Sequence, residues 1–170
     1  IEEAIEGDEN LSRVLPPCFL GIIILLIWQF NSIRRPAIIL ITIPLAFSGA
    51  LIGLLIAGAP FDFFGLLAFL SLAGVIINNG IVLIDRIDGE RKKGLDPYQA
   101  VIQSAIARFR PIVMTTITTI LGVMPLIVWR DPLFYSLAII IASGLAFGTL
   151  LTLGVAPVLY SIFFRVNTYK

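Results

Sequence analysis

Five apolar runs separated by short charged patches constrain this chain more than any other feature. They lie at about 14–30, 36–59, 61–84, 109–129 and 133–164. About 20 helical residues cross the ~30 Å hydrocarbon core of a bilayer. Four runs meet that length. The first meets it only if residues 11–15 continue its helix, and the fifth is over-long and should tilt or extend beyond the lipid. With 58% hydrophobic and 14% charged residues, too little polar sequence remains to form the skin of a soluble domain. The expected fold class is therefore an all-α membrane protein with five transmembrane helices. Residues 1–14 read as a connector, and residues 15–170 read as a transmembrane domain fragment.

Orientation follows from the basic residues. With the N-terminus outside, the inside segments hold Arg34, Arg35, Arg86, Arg91, Lys92, Lys93, Arg108, Arg110, Arg165 and Lys170, ten of the twelve Lys and Arg residues. Arg13 and Arg130 fall outside, so the bias places the C-terminus in the cytoplasm. Within the 85–110 loop, Asp96 is a good N-cap and Pro97 a good first helical residue. Tyr98, Val101, Ile102, Ala105, Ile106 and Phe109 follow at helical spacing, with Gln99, Gln103, Ser104 and Arg108 elsewhere. This predicts a separate amphipathic helix at about 97–108, lying on the inner membrane surface, with Gly89 and Gly94 loosening the turn before it.

Several function classes drop out. The basic residues sit in short loops and the net charge is only +1, so nothing points to nucleic acid. No histidine is present, and the single Cys18 reads as a small packing residue. No HExxH, phosphate loop or nucleophile–base pair appears, so an enzyme is not expected and no metal site is indicated. The chain opens on Ile1 within an acidic stretch and without a basic leader, which reads as a piece of something longer.

Polar groups in hydrocarbon are costly, and two clusters stand out. Ser71, Gly74, Asn78 and Asp85 form one stripe of the third run, with Asn79 beside it and Gly80 thinning the helix. The fourth run carries Thr115, Thr116, Thr118 and Thr119, and Thr115, Thr119 and Gly122 share a face. Counting from Asp85 and Arg110, Asn78 lies about 10 Å and Thr115 about 8 Å deep. A hydrogen-bonded contact between the two antiparallel helices is thus feasible, worth about 0.6–2 kcal/mol. These residues read either as interhelical glue or as part of an ion pathway. The pairs Gly49/Gly53 and Gly144/Gly148, at four-residue spacing, suit close helix approach, as do Gly74, Gly80 and Gly122. Asp62 and Asp85 sit near run ends, so no carboxylate lies deep in a span.

The wording of several stretches is familiar. Residues 29–36 (QFNSIRRP) with 43–46 (IPLA), residues 72–85 (LAGVIINNGIVLID), and residues 108–116 (RFRPIVMTT) with 121–126 (LGVMPL) resemble the C-terminal half of resistance–nodulation–division (RND) efflux pumps of the AcrB type. The resemblance implies helices eight to twelve of a twelve-helix pump in the bacterial inner membrane. It also implies a homotrimer with a periplasmic adaptor, an outer-membrane channel and large periplasmic domains that carry the substrate. Energy would come from protons crossing at paired aspartates in the missing N-terminal half. In familiar members a lysine on the tenth helix faces that pair, assisted by an arginine and a threonine on the eleventh. The matching positions are Asn78, Arg108 and Thr115, and Asn79 matches the asparagine beside the lysine. Asn78 is the departure, since a dipole replaces a mobile charge. Coupling would then depend on protonation of the aspartates alone, and a neutral oxygen-rich site leaves sodium open as an alternative ion. Residues 1–15 would pass motion from the periplasmic domain to the eighth helix. The expected function is export of drugs or amphiphiles driven by the proton gradient. A protein- or lipid-export accessory of the same superfamily, and a non-transporting structural bundle, are the alternatives.

Overall fold

The structure, a computed structural model, describes residues 13, 16, 17 and 20–164. Most of the 1–14 connector, Cys18, Arg165 and Lys170 lie outside the described residues. Among those described, the chain is all-helical: α1 (Leu20–Phe30), α2 (Arg34–Ala57), α3 (Phe63–Lys92), α4 (Pro97–Val128) and α5 (Tyr135–Phe163). α2 to α5 are long and apolar enough to cross a membrane, whereas the described part of α1 is shorter. The chain divides after Ala37 into two units. In the first, α1 stops at Asn31, which takes a left-handed φ of 45°. The Arg35 guanidinium donates to the carbonyl of Phe30 at 2.8 Å, satisfying an acceptor that a helix end leaves open.

In the second unit, α5 packs against both α3 and α4, and glycines set how closely it approaches its neighbours. A Cβ at Gly49 would collide with Phe147, and one at Gly53 with Ser143. One at Gly144 would meet Leu72 and Ala50, and one at Gly148 would lie 3.3 Å from Ala46. Gly80 lies similarly against Ile39. Such contacts let helix backbones approach where lipid supplies no hydrophobic drive for association. Gly74 and Gly122 differ from the expectation. Nothing lies within 4 Å of a Cβ at either position, because both sit on faces that none of the described helices covers.

Polar contacts pin both ends of the α3–α5 pair. At one end Asp62 caps α3, its Oδ1 accepting from the Gly65 amide at 2.8 Å, while its Oδ2 accepts from the Ser136 hydroxyl at 3.1 Å. At the other, the buried Tyr160 hydroxyl donates to Asp88 at 2.7 Å and accepts from Arg91 at 3.0 Å. The Arg91 guanidinium also lies 5.7 Å from the Phe164 ring centroid, within cation–π range.

Two boundaries depart from the sequence reading. α3 does not stop at 84 but continues to Lys92. The apolar run marked only its lipid-length part, Gly89 is helical, and the break comes at Gly94 with φ 90°. The separate surface helix at 97–108 and the span at 109–129 are instead one 32-residue helix, α4. The start signal is correct, for Asp96 Oδ2 accepts from the Tyr98 amide at 3.2 Å. Pro111 does not end the helix. Proline removes one backbone donor, but Ala100, Ser104, Arg108, Pro111 and Thr115 stay in phase as one stripe across it. Ser104, assigned above to the polar face, is fully buried.

The helix ends share a device. At α4, the Asp131 amide donates to Leu126 O and the Arg130 amide to Ile127 O, a Schellman closure. Arg130 takes the left-handed position (φ 48°) that glycine usually fills, at a cost of about 1–2 kcal/mol. Asp131 Oδ1, accepting from the amides of Leu133 and Phe134, helps offset it.

Two stability outcomes follow. Gly49→Val should destabilise the full-length protein by about 1–3 kcal/mol through overpacking against Phe147, whereas Gly154→Val, in open space, should leave the detergent-solubilised Tm nearly unchanged. Tyr160→Phe should cost about 1–2 kcal/mol by removing the hydroxyl between Asp88 and Arg91, read as a lower Tm in the same assay.

Candidate functional site

The polar stripe of α3 is uncovered. Ser71, Gly74, Asn78 and Asp85 are all exposed, and Asn79 is half-buried. The opposite face of α3, with Leu72, Ala73, Ile76, Leu83, Ile84 and Ile87, is buried. Exposure of a polar stripe is the reverse of what a lipid-facing surface favours.

α4 changes character along its length. Its first half buries Ala100, Val101 and Ser104, and Ile112 follows beyond Pro111. Beyond Ile112 the same stripe continues through Thr115, Thr119 and Gly122, but these are exposed. Only 11% of the most apolar window of α4 is buried, against 39–50% for the other three spans. The threonine hydroxyls are turned onto their own helix. Thr115 donates to Ile112 O at 2.9 Å, Thr118 to Met114 O at 2.9 Å, and Thr119 to Thr115 O at 2.8 Å. Their protons are thereby spent, and their remaining lone pairs can accept.

Where the two faces meet, Asn78, Asn79 and Val82 of α3 and Arg108, Pro111, Ile112 and Thr115 of α4 line one cleft of about 150 Å³. The structure thus brings together Asn78, Asn79, Arg108 and Thr115. It does not bring Asp85, Ser71, Gly74 or Gly122 into that cleft. Arg108 is half-buried, and its Nε is shielded from solvent with no hydrogen-bond partner among the described residues. Pro111 lacks an amide proton, so the Ala107 carbonyl loses its usual helical donor. The cleft offers amide and guanidinium donors and hydroxyl and amide acceptors, with one fixed positive charge and no carboxylate. It suits water or an acidic side chain, and it has no nucleophile–base pair.

Sequence reasoning missed one contact nearby. Thr116, grouped with its neighbours as a single cluster, turns the other way and shares a hydrogen bond with Thr149 of α5, both buried. The signal was present in α5, where Thr149 and Thr152 interrupt an apolar run at helical spacing. Asp88 and Tyr160 were also missed, because α3 was ended too early.

The AcrB/AcrD/AcrF family model matches residues 1–164. Among solved structures, the chain is similar to a heavy metal efflux pump determined by X-ray crystallography, with 30% sequence identity and a TM-score of 0.84. The match covers 96% of this chain but 17% of that one, so the chain spans about a sixth of the length of the pump it resembles. A family match over nearly the whole chain, together with four apolar helices and a polar cleft between α3 and α4, places this chain in the AcrB/AcrD/AcrF family of RND efflux pumps.

Proposed function

We propose that this chain forms part of the ion-coupling membrane domain of an inner-membrane exporter, and that Asn78, Asn79, Arg108 and Thr115 complete a proton relay. The observation that carries the reading is their convergence on one cleft, on faces of α3 and α4 that the described residues leave uncovered. A helix bearing paired aspartates, supplied by the rest of the polypeptide, fits that uncovered face. The N-terminus lies in the periplasm and the C-terminus in the cytoplasm. The pump works as a homotrimer with a periplasmic adaptor and an outer-membrane channel.

Arg108 bears on the choice of ion. A cation resting about 5 Å from a guanidinium is repelled by roughly 3 kcal/mol at an effective dielectric of ~20. This favours protonation of carboxylates over a resident sodium ion. Asn78 and Thr115 act as neutral hydrogen-bond partners of those carboxylates. At least one carboxylate of a close pair stays protonated without a second cation opposite it.

Drugs or amphiphiles are the proposed substrates. The likeness to a heavy metal efflux pump favours metal ions as the second reading. Cells carrying the full gene should exclude a fluorescent dye, and a proton uncoupler should abolish the exclusion. Resistance to heavy-metal salts without dye export would favour the second reading. In the dye assay, Asn78→Leu should slow export about tenfold, as loss of one buried hydrogen bond in a transition state would. Wild-type export from that variant would reduce Asn78 to a packing residue.

A further inference from the structure

Thr116 behaves unlike the threonines around it. Thr115, Thr118 and Thr119 donate their hydroxyl protons to carbonyls of α4 itself. The Thr116 hydroxyl instead pairs with that of Thr149 on α5, at 2.5 Å and with both residues buried. Beyond Pro111, the buried residues of α4 are Ile112 and Thr116. The span half of α4 therefore has few other anchors, and this bond fixes both its depth and its rotation. Successive side chains leave a helix about 100° apart. A helix anchored at Thr116 thus carries Thr115 round into the cleft that it lines.

The residue before Thr149 sets the distance to α3. Gly148 approaches that helix so closely that a Cβ there would stand 3.4 Å from Cγ1 of Ile76. Ile76 is buried and precedes Asn78 by two residues. Neighbouring residues of α5 thus touch both helices of the cleft, one beside Asn78 and the other beside Thr115.

We propose that Gly148 and Thr149 brace the cleft from behind, with Thr149 as a positioning residue that holds Thr115 across from Asn78 through its bond to Thr116. The inference rests on the reading of the cleft as the ion-handling site, and it adds residues outside the cleft that set its width. A turn of α4 by about 20° would move a hydroxyl oxygen about 4 Å from its axis by roughly 1.4 Å. A misplacement of about 1 Å can slow a reaction by about 100-fold. The competing account is that the Thr116–Thr149 bond is glue, stabilising the bundle without acting on the cleft.

Dye export by the full-length pump, scaled to the folded protein in the membrane, separates the two. Thr149→Val removes the hydroxyl at nearly constant shape and should slow export about tenfold. Thr149→Ser keeps the hydroxyl and should stay within about twofold of wild type. Effects that act through one another do not add, so Thr149→Val combined with Thr115→Val should be no slower than Thr115→Val alone. Glue would multiply the two effects. Thr149→Val also orphans the Thr116 hydroxyl and lowers the Tm, whereas Thr116→Val with Thr149→Val removes both partners and is nearly neutral for stability. That pair should recover the Tm but not the export. Wild-type export from Thr149→Val, slowing by Thr149→Ser equal to that by Thr149→Val, multiplying effects with Thr115→Val, or export recovered along with the Tm overturns the brace. Asn78→Leu in the same assay judges the cleft itself. Slow export there, with any of those results at Thr149, sinks the brace alone. Wild-type export from Asn78→Leu sinks the cleft reading and the brace with it.

Discussion

Water is missing from the interior of a bilayer, so each dipole buried there must be met by the protein itself. That constraint orders this chain. α5 is the shared partner, approached closely through Gly49, Gly53, Gly144 and Gly148. Each polar group on its contacts is answered. Ser136 meets Asp62, Thr149 meets Thr116, Thr152 donates to the Gly148 carbonyl, and Tyr160 stands between Asp88 and Arg91. Two of these contacts pin the two ends of the α3–α5 seam, so α3 is held at both ends while its other face remains open.

The open face is where the constraint is not met within the chain. The Asn78 amide and the remaining acceptor lone pairs of Thr115 and Thr119 are unmatched among the described residues, on helices apolar enough to span a membrane. A chain covering 17% of a related pump leaves most of that pump's length to supply what is missing. On the proposed reading, the neutral dipoles and the single Arg108 charge wait for carboxylates from another helix. On that same reading, the amide of Asn78 in place of a mobile cation leaves the coupling to those carboxylates alone.

Much of this was legible in the sequence, and the failures have physical reasons. Apolar run length located α2 to α5, because hydrocarbon thickness fixes how long such runs must be. The convergence of Asn78, Asn79, Arg108 and Thr115 followed from depth counting and family resemblance together. Helix ends were less legible. Hydropathy marks lipid rather than backbone, so α3 was cut at 84 although its helix runs to Lys92. The 97–108 segment was read as a surface helix separate from the 109–129 span, but a stripe in phase on both sides of Pro111 joins them in one helix. Side-chain direction was least legible of all. Adjacent threonines at 115 and 116 face different neighbours, and Ser104 is buried where the amphipathic pattern exposed it. Gly74 and Gly122 were read as contact glycines as well, but a small residue does not reveal whether its partner helix belongs to this stretch of chain or to another.

The most direct measurement is a high-resolution structure of the full-length protein in a lipid nanodisc, viewed at the cleft between α3 and α4. The account predicts an acidic side chain from another helix seated there, within hydrogen-bond reach of Asn78 and of Thr115 or Arg108. Acyl chains filling the groove along Asn78 and Thr115, with no carboxylate facing it, would contradict the account.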